Sequence, residues 1–319
     1  METWTIGTDD GEGQLELHSF PPAATAGAPT GARTAAPAAR PPGDGLTPAG
    51  SGVVLVHGTL VGDTLYRPFA RKLSRLLGQP VHCYNRRGRG GSSPQPADYS
   101  AATETADLAA VLRETGASDV VAHSYGGFVA IQTARAVPIR RMVTYDAAVS
   151  LSGNLSRRWR PELETSVAAG QLDHAWAHLV QGLETAGPVS RLPLGALRML
   201  SIVSARTSMG AEMRKLLPTA VAEMRAVLEA DAELEDFAAI TTPTLMLSGG
   251  WSPAYFGETG RELASAVPAV EFGVAPGQLH EGPIRPGHRL VLTTARFLLG
   301  ASGAASPLRG RLPRFWAAR

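Results

Sequence analysis

Ser124 is the residue whose setting points most directly to chemistry. It lies in Val120-Val121-Ala122-His123-Ser124-Tyr125-Gly126-Gly127, where an apolar strand-like run gives way to a helical stretch. A serine placed on a sharp turn between strand and helix projects its hydroxyl above the sheet. Such a turn needs small residues two before and two after, because larger side chains would clash there. Ala122 and Gly126 meet that need, with alanine where glycine is usual. A serine hydroxyl is a weak nucleophile near neutral pH and requires a base within hydrogen-bond reach. Of the eight histidines, His174, His178 and His288 fall on predicted helices and His18 and His82 in predicted strands. His280 falls in the loop segment Ala275-Pro276-Gly277-Gln278-Leu279-His280-Glu281-Gly282. A serine with such a base points to acyl transfer.

These residues need a scaffold, and the apolar pattern describes one. Residues 3–8 and 14–20 alternate apolar and polar side chains around Asp9-Asp10-Gly11, which predicts a β-hairpin. Continuous apolar runs at 53–57, 81–85, 119–123, 141–146, 244–248 and 270–274 predict strands buried on both faces. Helical segments at 65–77, 102–115, 126–136, 257–266 and 287–299 alternate with them. The repetition argues for an α/β protein with a mostly parallel, doubly wound sheet.

The alternation stops between residues 148 and 243, where helical stretches at 160–186, 192–204, 209–217 and 219–230 predict an inserted cap. Its apolar faces (Trp176, Leu179, Leu183; Leu197, Met199, Leu200) are read as packing. The expected organisation is a core of 1–147 and 244–300, a helical cap of 148–243 and a C-terminal tail of 301–319. Residues 21–52, rich in Pro, Ala, Gly and Thr, are expected to be a flexible insertion. The tail carries Arg309, Arg311, Arg314 and Arg319 around Phe315 and Trp316 and is read as a solvated end.

Two further segments sharpen the picture. The strand from Val53 ends in His57-Gly58 and is followed by Thr59 and Leu60. The next strand runs into Tyr84-Asn85-Arg86-Arg87-Gly88-Arg89-Gly90-Gly91-Ser92-Ser93. With the Ser124 turn and the late His280, the chain resembles the serine-nucleophile branch of the α/β-hydrolase superfamily over residues 1–20 and 53–299. The resemblance implies the α/β-hydrolase fold with an N-terminal hairpin and a helical cap. It makes His280 the base and fixes the chain order serine, acid, histidine. It also places the backbone N–H groups of Tyr125 and of Leu60 or Thr59 around the developing oxyanion, and the arginine loop near the site entrance. His57 is read as structural, and with Trp251 and Ser252 it is a possible pocket residue.

The acid departs from the commonest pattern. Gly249-Gly250-Trp251-Ser252-Pro253-Ala254-Tyr255-Phe256-Gly257-Glu258 holds no aspartate where most members carry one. Asp146, at the end of the preceding predicted strand, takes the place used by a minority. Glu258, another carboxylate of the cap, or a Ser–His dyad aided by Ser252 stays open as an alternative.

Composition narrows the class. The chain has 319 residues, 44% hydrophobic and 18% charged, which suits a globular enzyme. A net charge of +2 gives no global field for nucleic acid or membrane. There is no stretch of about 18 apolar residues and no basic leader, so a cytoplasmic protein is expected. Cys83 is the only cysteine, so no internal disulfide forms; it is read as a small buried apolar residue. No HExxH, paired CxxC, P-loop or Rossmann fingerprint appears, so neither metal nor cofactor is implied. Serine at the elbow argues against branches that need a carboxylate nucleophile. The reading is a cofactor-independent, esterase-like hydrolase of an ester, lactone or thioester, with a medium-sized, largely apolar small-molecule substrate. An acyltransferase, cyclase or lyase on the same scaffold, or a non-catalytic binding protein, is the alternative.

Overall fold

The computed structural model describes residues 1–22 and 51–300. Most of the 21–52 insertion and all of the 301–319 tail lie outside the described residues. Eight strands build one sheet: β1 (Glu2–Gly7), β2 (Gln14–Phe20), β3 (Val53–Val56), β4 (Val81–Tyr84), β5 (Asp119–His123), β6 (Arg141–Tyr145), β7 (Thr244–Gly249) and β8 (Val270–Ala275). Their order is β1-β2-β4-β3-β5-β6-β7-β8. β1 and β2 form the expected hairpin, and β2 joins β4 antiparallel. Every pairing from β4 to β8 is parallel.

The runs read as continuous apolar strands are buried along their length in β3, β4, β5 and β7. Alternate side chains serve opposite faces, as the pleat requires. Val53 and Leu55 join one core layer, with Phe69, Leu73, Val291 and Phe297. Val54 and Val56 join the other, with Leu108, Phe128 and Val129. The helices supplying these layers include α1 (Arg67–Leu77), α2 (Ala101–Thr115) and α3 (Tyr125–Ala134), with Val291 and Phe297 coming from the last helix. Local chemistry sets their ends. α2 starts on a reciprocal Ser100/Thr103 capping box and stops at Gly116, whose φ of 64° suits glycine.

Between β6 and β7 lie α4 (Arg160–Ala168), α5 (Leu172–Leu183), α6 (Leu194–Ser204), α7 (Ser208–Lys215) and α8 (Leu217–Glu229), which form the helical insert. After β7 come α9 (Ala254–Ala266) and α10 (His288–Leu298). The single helix expected over 160–186 is two helices, because Gly170 at φ 69° turns the chain between α4 and α5. The apolar face of α6 is also split. Leu197 is fully buried, whereas Met199 is 59% exposed and Leu200 is also exposed, so that face is only partly packing. Among the described residues, no helix is long and apolar enough to cross a membrane.

The topology creates the site. From β3 the chain passes to β4 on one side and then to β5 on the other. The segments leaving β3 and β5 therefore diverge and open a crevice at their carboxyl ends, where open α/β sheets bind ligands. His57-Gly58-Thr59 and Ser124 occupy that crevice.

Candidate active site

Ser124 follows β5 directly and opens α3. Its backbone is at φ 56°, ψ −122°, a region sparsely used by residues other than glycine. The strain is held on both sides. The Ser124 amide donates to the Tyr145 carbonyl at 3.0 Å, and its own carbonyl accepts from Gly127 and Ala148. Gly126 must be glycine, because a Cβ there would sit 2.4 Å from the Val56 carbonyl oxygen. Gly127 has the same constraint, with a Cβ falling 2.6 Å from that of Ala147. At Gly126 the small residue read from the sequence is thus imposed by backbone approaching backbone.

His280 lies in the loop after β8. Its Nε2 is 3.2 Å from Ser124 Oγ and its Nδ1 is 3.1 Å from Asp146 Oδ2. The carboxylate can only accept, so Nδ1 carries the hydrogen and Nε2 is free to accept from the serine hydroxyl. The Phe256 ring stacks on the imidazole at 5.0 Å and 12°. Asp146 follows β6 with φ 45° and is buried. Oδ1 accepts from the Gly249 amide at 3.1 Å, and Oδ2 accepts from Ser252 Oγ at 2.5 Å. Glu258 is exposed on α9, away from this arrangement.

The other residues expected at the pocket fall elsewhere. A cavity of about 190 Å³ opens beside Ser124 and Thr59, walled by Trp159, Leu183, Met224, Val227, Leu228 and Phe256 among others. Trp251, Ser252 and His57 do not line it. Trp251 is 53% exposed, because its amide is tied to the Gln278 carbonyl and its ring turns outward. Ser252 is buried behind Asp146 as a hydrogen-bond donor. His57 is buried beneath the Gly58 loop, where its Nδ1–H donates to the Gly58 carbonyl and its Nε2 accepts from the Arg86 amide. Burial first, and the adjacent Arg86 second, push the His57 imidazole well below its usual range, so the ring is neutral.

The arginine loop packs inside the protein, against the His57–Gly58 segment beside the site. Arg86 and Arg89 are buried, and the Arg86 guanidinium pairs with Glu104 of α2 at 2.6 Å and with Glu223 of α8 at 2.9 Å. Arg89 shares Glu223 at 2.5 Å. Arg86 also donates to the carbonyls of His57 at 3.2 Å and Gly58 at 3.1 Å. With His57 Nδ1, it fixes the Gly58–Thr59 peptide with its carbonyl pointing into the cluster. In a trans peptide the Thr59 N–H then points the opposite way. Leu60 is turned by φ 60° and its side chain is buried outside the cavity wall.

A second chain of hydrogen bonds has no signature in the sequence. The Gly58 amide donates to Tyr66 Oη at 3.1 Å, and the Tyr66 hydroxyl donates to His123 Nδ1 at 2.6 Å. His123 Nε2–H donates to the His280 carbonyl at 2.9 Å. Burial, and then the electrostatic influence of the neighbouring His280 ring, hold the His123 imidazole well below its usual range, which keeps the neutral tautomer this chain requires. The adjacency of His123 to Ser124 was its only sequence cue. No group of three or more metal-ligating side chains gathers among the described residues.

The sequence from residue 53 to residue 300 matches the model of the Alpha/beta hydrolase family. This chain belongs to that family. The fold agrees: an alpha/beta hydrolase from Sphaerobacter thermophilus superposes with a TM-score of 0.66 at 23% identity, covering 87% of this chain and 94% of the other. The enol-lactonase from Burkholderia xenovorans gives 0.62 at 17% identity, covering 93% and 100%. A thermophilic esterase from Thermogutta terrifontis gives 0.60 at 18% identity, covering 94% and 99%. Among curated proteins, none matches this sequence. As an alpha/beta hydrolase, the chain carries its helical insert at the carboxyl ends of the strands, over the Ser124 crevice, where α8 packs on α3 and Met224 and Val227 wall the cavity.

Proposed function

We propose that this alpha/beta hydrolase is a serine esterase-type enzyme that cleaves an ester, lactone or thioester through an acyl-enzyme on Ser124. One observation carries the reading: Ser124 Oγ, the His280 ring and the Asp146 carboxylate stand in line, at 3.2 Å and 3.1 Å. That separation and order suit a nucleophile, its base and the group that orients the base.

In the first step Ser124 Oγ attacks the carbonyl carbon, and its proton moves to His280 Nε2. Asp146 keeps the Nδ1–H of His280 in place and faces the imidazolium as it forms. The tetrahedral oxyanion is met by the Thr59 and Tyr125 amides. Thr59 is favoured over Leu60 because its peptide plane is clamped by Arg86 and His57 and because it lines the cavity. Each such preorganised donor is worth about 3–4 kcal/mol of barrier. His280 returns the proton to the leaving alkoxide or thiolate. A water then enters, loses its proton to His280 and attacks the acyl carbon, and Ser124 regains its proton on release. The walls of the cavity suit a substrate that is mostly apolar around its carbonyl.

The direct test is turnover of para-nitrophenyl acyl esters by wild type and Ser124→Ala. Loss of hydrolysis in a folded Ser124→Ala protein is expected; retained hydrolysis would remove Ser124 from the mechanism.

A further inference from the structure

Among the described residues that line the Ser124 cavity, Glu184 is the only charged one. Among the described residues no lysine or arginine lines that cavity, and Glu184 makes no ion pair with any of them. Its place is locally unfavourable in two ways. It caps the C-terminus of α5 in the left-handed region, at φ 55° and ψ 11°, where glycine or asparagine is preferred. It also puts a carboxylate at the negative end of the helix dipole, where a basic residue would be stabilising. Four of the five described non-glycine residues with positive φ are Leu60, Ser124, Asp146 and Glu184. The first three belong to the crevice and its hydrogen-bonded support, and the fourth faces the same cavity. Strain collected in this way is a mark of function.

Two aromatic groups are fixed against the same turn. The Trp159 indole lies on Gly182, where a Cβ would fall 2.2 Å from the ring, so only glycine admits it. The Tyr255 hydroxyl donates to the Leu183 carbonyl at 3.0 Å, which orients its ring beside the residue preceding Glu184. Trp159 and Tyr255 both line the cavity. Aromatic faces with an unpaired carboxylate attract an organic cation, tryptophan most strongly, and disfavour an anion.

We propose that Glu184, Trp159 and Tyr255 form a subsite for an organic cation. The substrate then carries an ammonium-type group joined to its scissile carbonyl through an apolar segment. This deepens the reading of Ser124 as the nucleophile and rests on it.

Binding is measured on Ser124→Ala, so that no turnover is needed, and on Ser124→Ala carrying Glu184→Gln. Two isosteric pairs locate the cation. Acetylcholine is compared with the ester in which tert-butyl replaces trimethylammonium, which places the charge in the alcohol. The methyl ester of trimethylammonio-butanoate is compared with its tert-butyl counterpart, which places it in the acyl group. In one pair the cation is expected to bind about 5–30-fold more tightly than its neutral partner. Glu184→Gln is expected to erase most of that preference by weakening the cation far more than its neutral partner. The preference is also expected to shrink at high salt, since Glu184 is exposed. Equal or weaker binding of both cations, no detectable binding of either, or a preference untouched by Glu184→Gln overturns the proposal. Failure of the Ser124 reading shows separately, as wild type that leaves the neutral esters uncleaved while the binding ratio persists.

Discussion

Ser252 Oγ donates a 2.5 Å hydrogen bond to Asp146 Oδ2, the same oxygen that faces His280 Nδ1 at 3.1 Å. The serine on the loop after β7 therefore holds the carboxylate that follows β6. A hydrogen bond to a charged acceptor contributes about 1.5–3 kcal/mol. Ser252→Ala leaves that oxygen with only the imidazole and frees the carboxylate to turn. The expected result is a roughly 5- to 30-fold fall in kcat, of order 1–2 kcal/mol, with KM little changed. Steady-state kinetics on a soluble ester measures it, and an unchanged kcat would show that Ser252 only fills space.

His123 joins the two loops that meet at Ser124. Through Tyr66 it reaches the Gly58 amide, and through Nε2 it reaches the His280 carbonyl. His123→Phe keeps an aromatic ring in a buried site but cuts both bonds. Its kcat is expected to drop about tenfold, in the range of one to two lost neutral hydrogen bonds, while fluorophosphonate still labels Ser124. A wild-type kcat would leave His123 a packing residue.

Arg86 is a clamp between the core, the Gly58–Thr59 peptide and the helical insert. Lysine is a point charge and cannot hold two carbonyls and two carboxylates in fixed directions. Arg86→Lys is expected to lower kcat at least tenfold through a loosened Thr59 amide. Glu223→Ala leaves Arg86 and Arg89 without their shared partner in a buried site. Breaking a buried pair in this way costs about 3–5 kcal/mol. Urea unfolding of Glu223→Ala checks that figure, and a loss below about 1 kcal/mol would show that water reaches the cluster.

The sheet was legible because parallel strands buried on both faces leave continuous apolar runs, and β3 to β8 fall within a residue or two of those runs. The family was legible for a related reason: a strained strand-to-helix turn tolerates few residue types, so Ala122, Ser124, Gly126 and Gly127 write it into the chain. Asp146 could be placed at a strand end, but its two donors, Gly249 and Ser252, come from more than 100 positions away. The partners of the arginine cluster were hidden for the same reason. Its partner Glu223 sits 137 residues from Arg86, on an insert whose docking leaves no periodic trace. Trp251 and Ser252 were grouped because they are adjacent, yet successive residues in that turn face opposite ways, one to solvent and one to Asp146. The break at Gly170 was hidden because helical composition continues on both sides of it.

His82 supplies a pH dependence that has nothing to do with the site. It is buried on β4, neither ring nitrogen has a partner, and burial pushes its imidazole down to about 4. Unfolded, it titrates near 6.5, so as pH falls from about 7 to 4 the unfolded chain takes up the proton first. Stability is full above about pH 7, and about 2 kcal/mol of it is lost between pH 7 and 5. Asp107, raised to about 6 by burial against the pull of Arg87, works in the opposite direction. His82→Leu removes only the first effect. Urea unfolding at pH 7 and pH 5 is expected to show a smaller loss on acidification in the variant, and equal losses would mean that His82 is solvated in the native state.

The central claim is that Ser124 is a nucleophile activated by His280 with Asp146 behind it. Intact mass after treatment with a fluorophosphonate tests it most directly, on wild type, Ser124→Ala and Asp146→Asn. The account predicts one adduct on wild type, none on Ser124→Ala, and labelling slowed at least a hundredfold in Asp146→Asn, about 3 kcal/mol of lost activation. A folded wild type that takes no adduct, or an adduct that persists in Ser124→Ala, would contradict it.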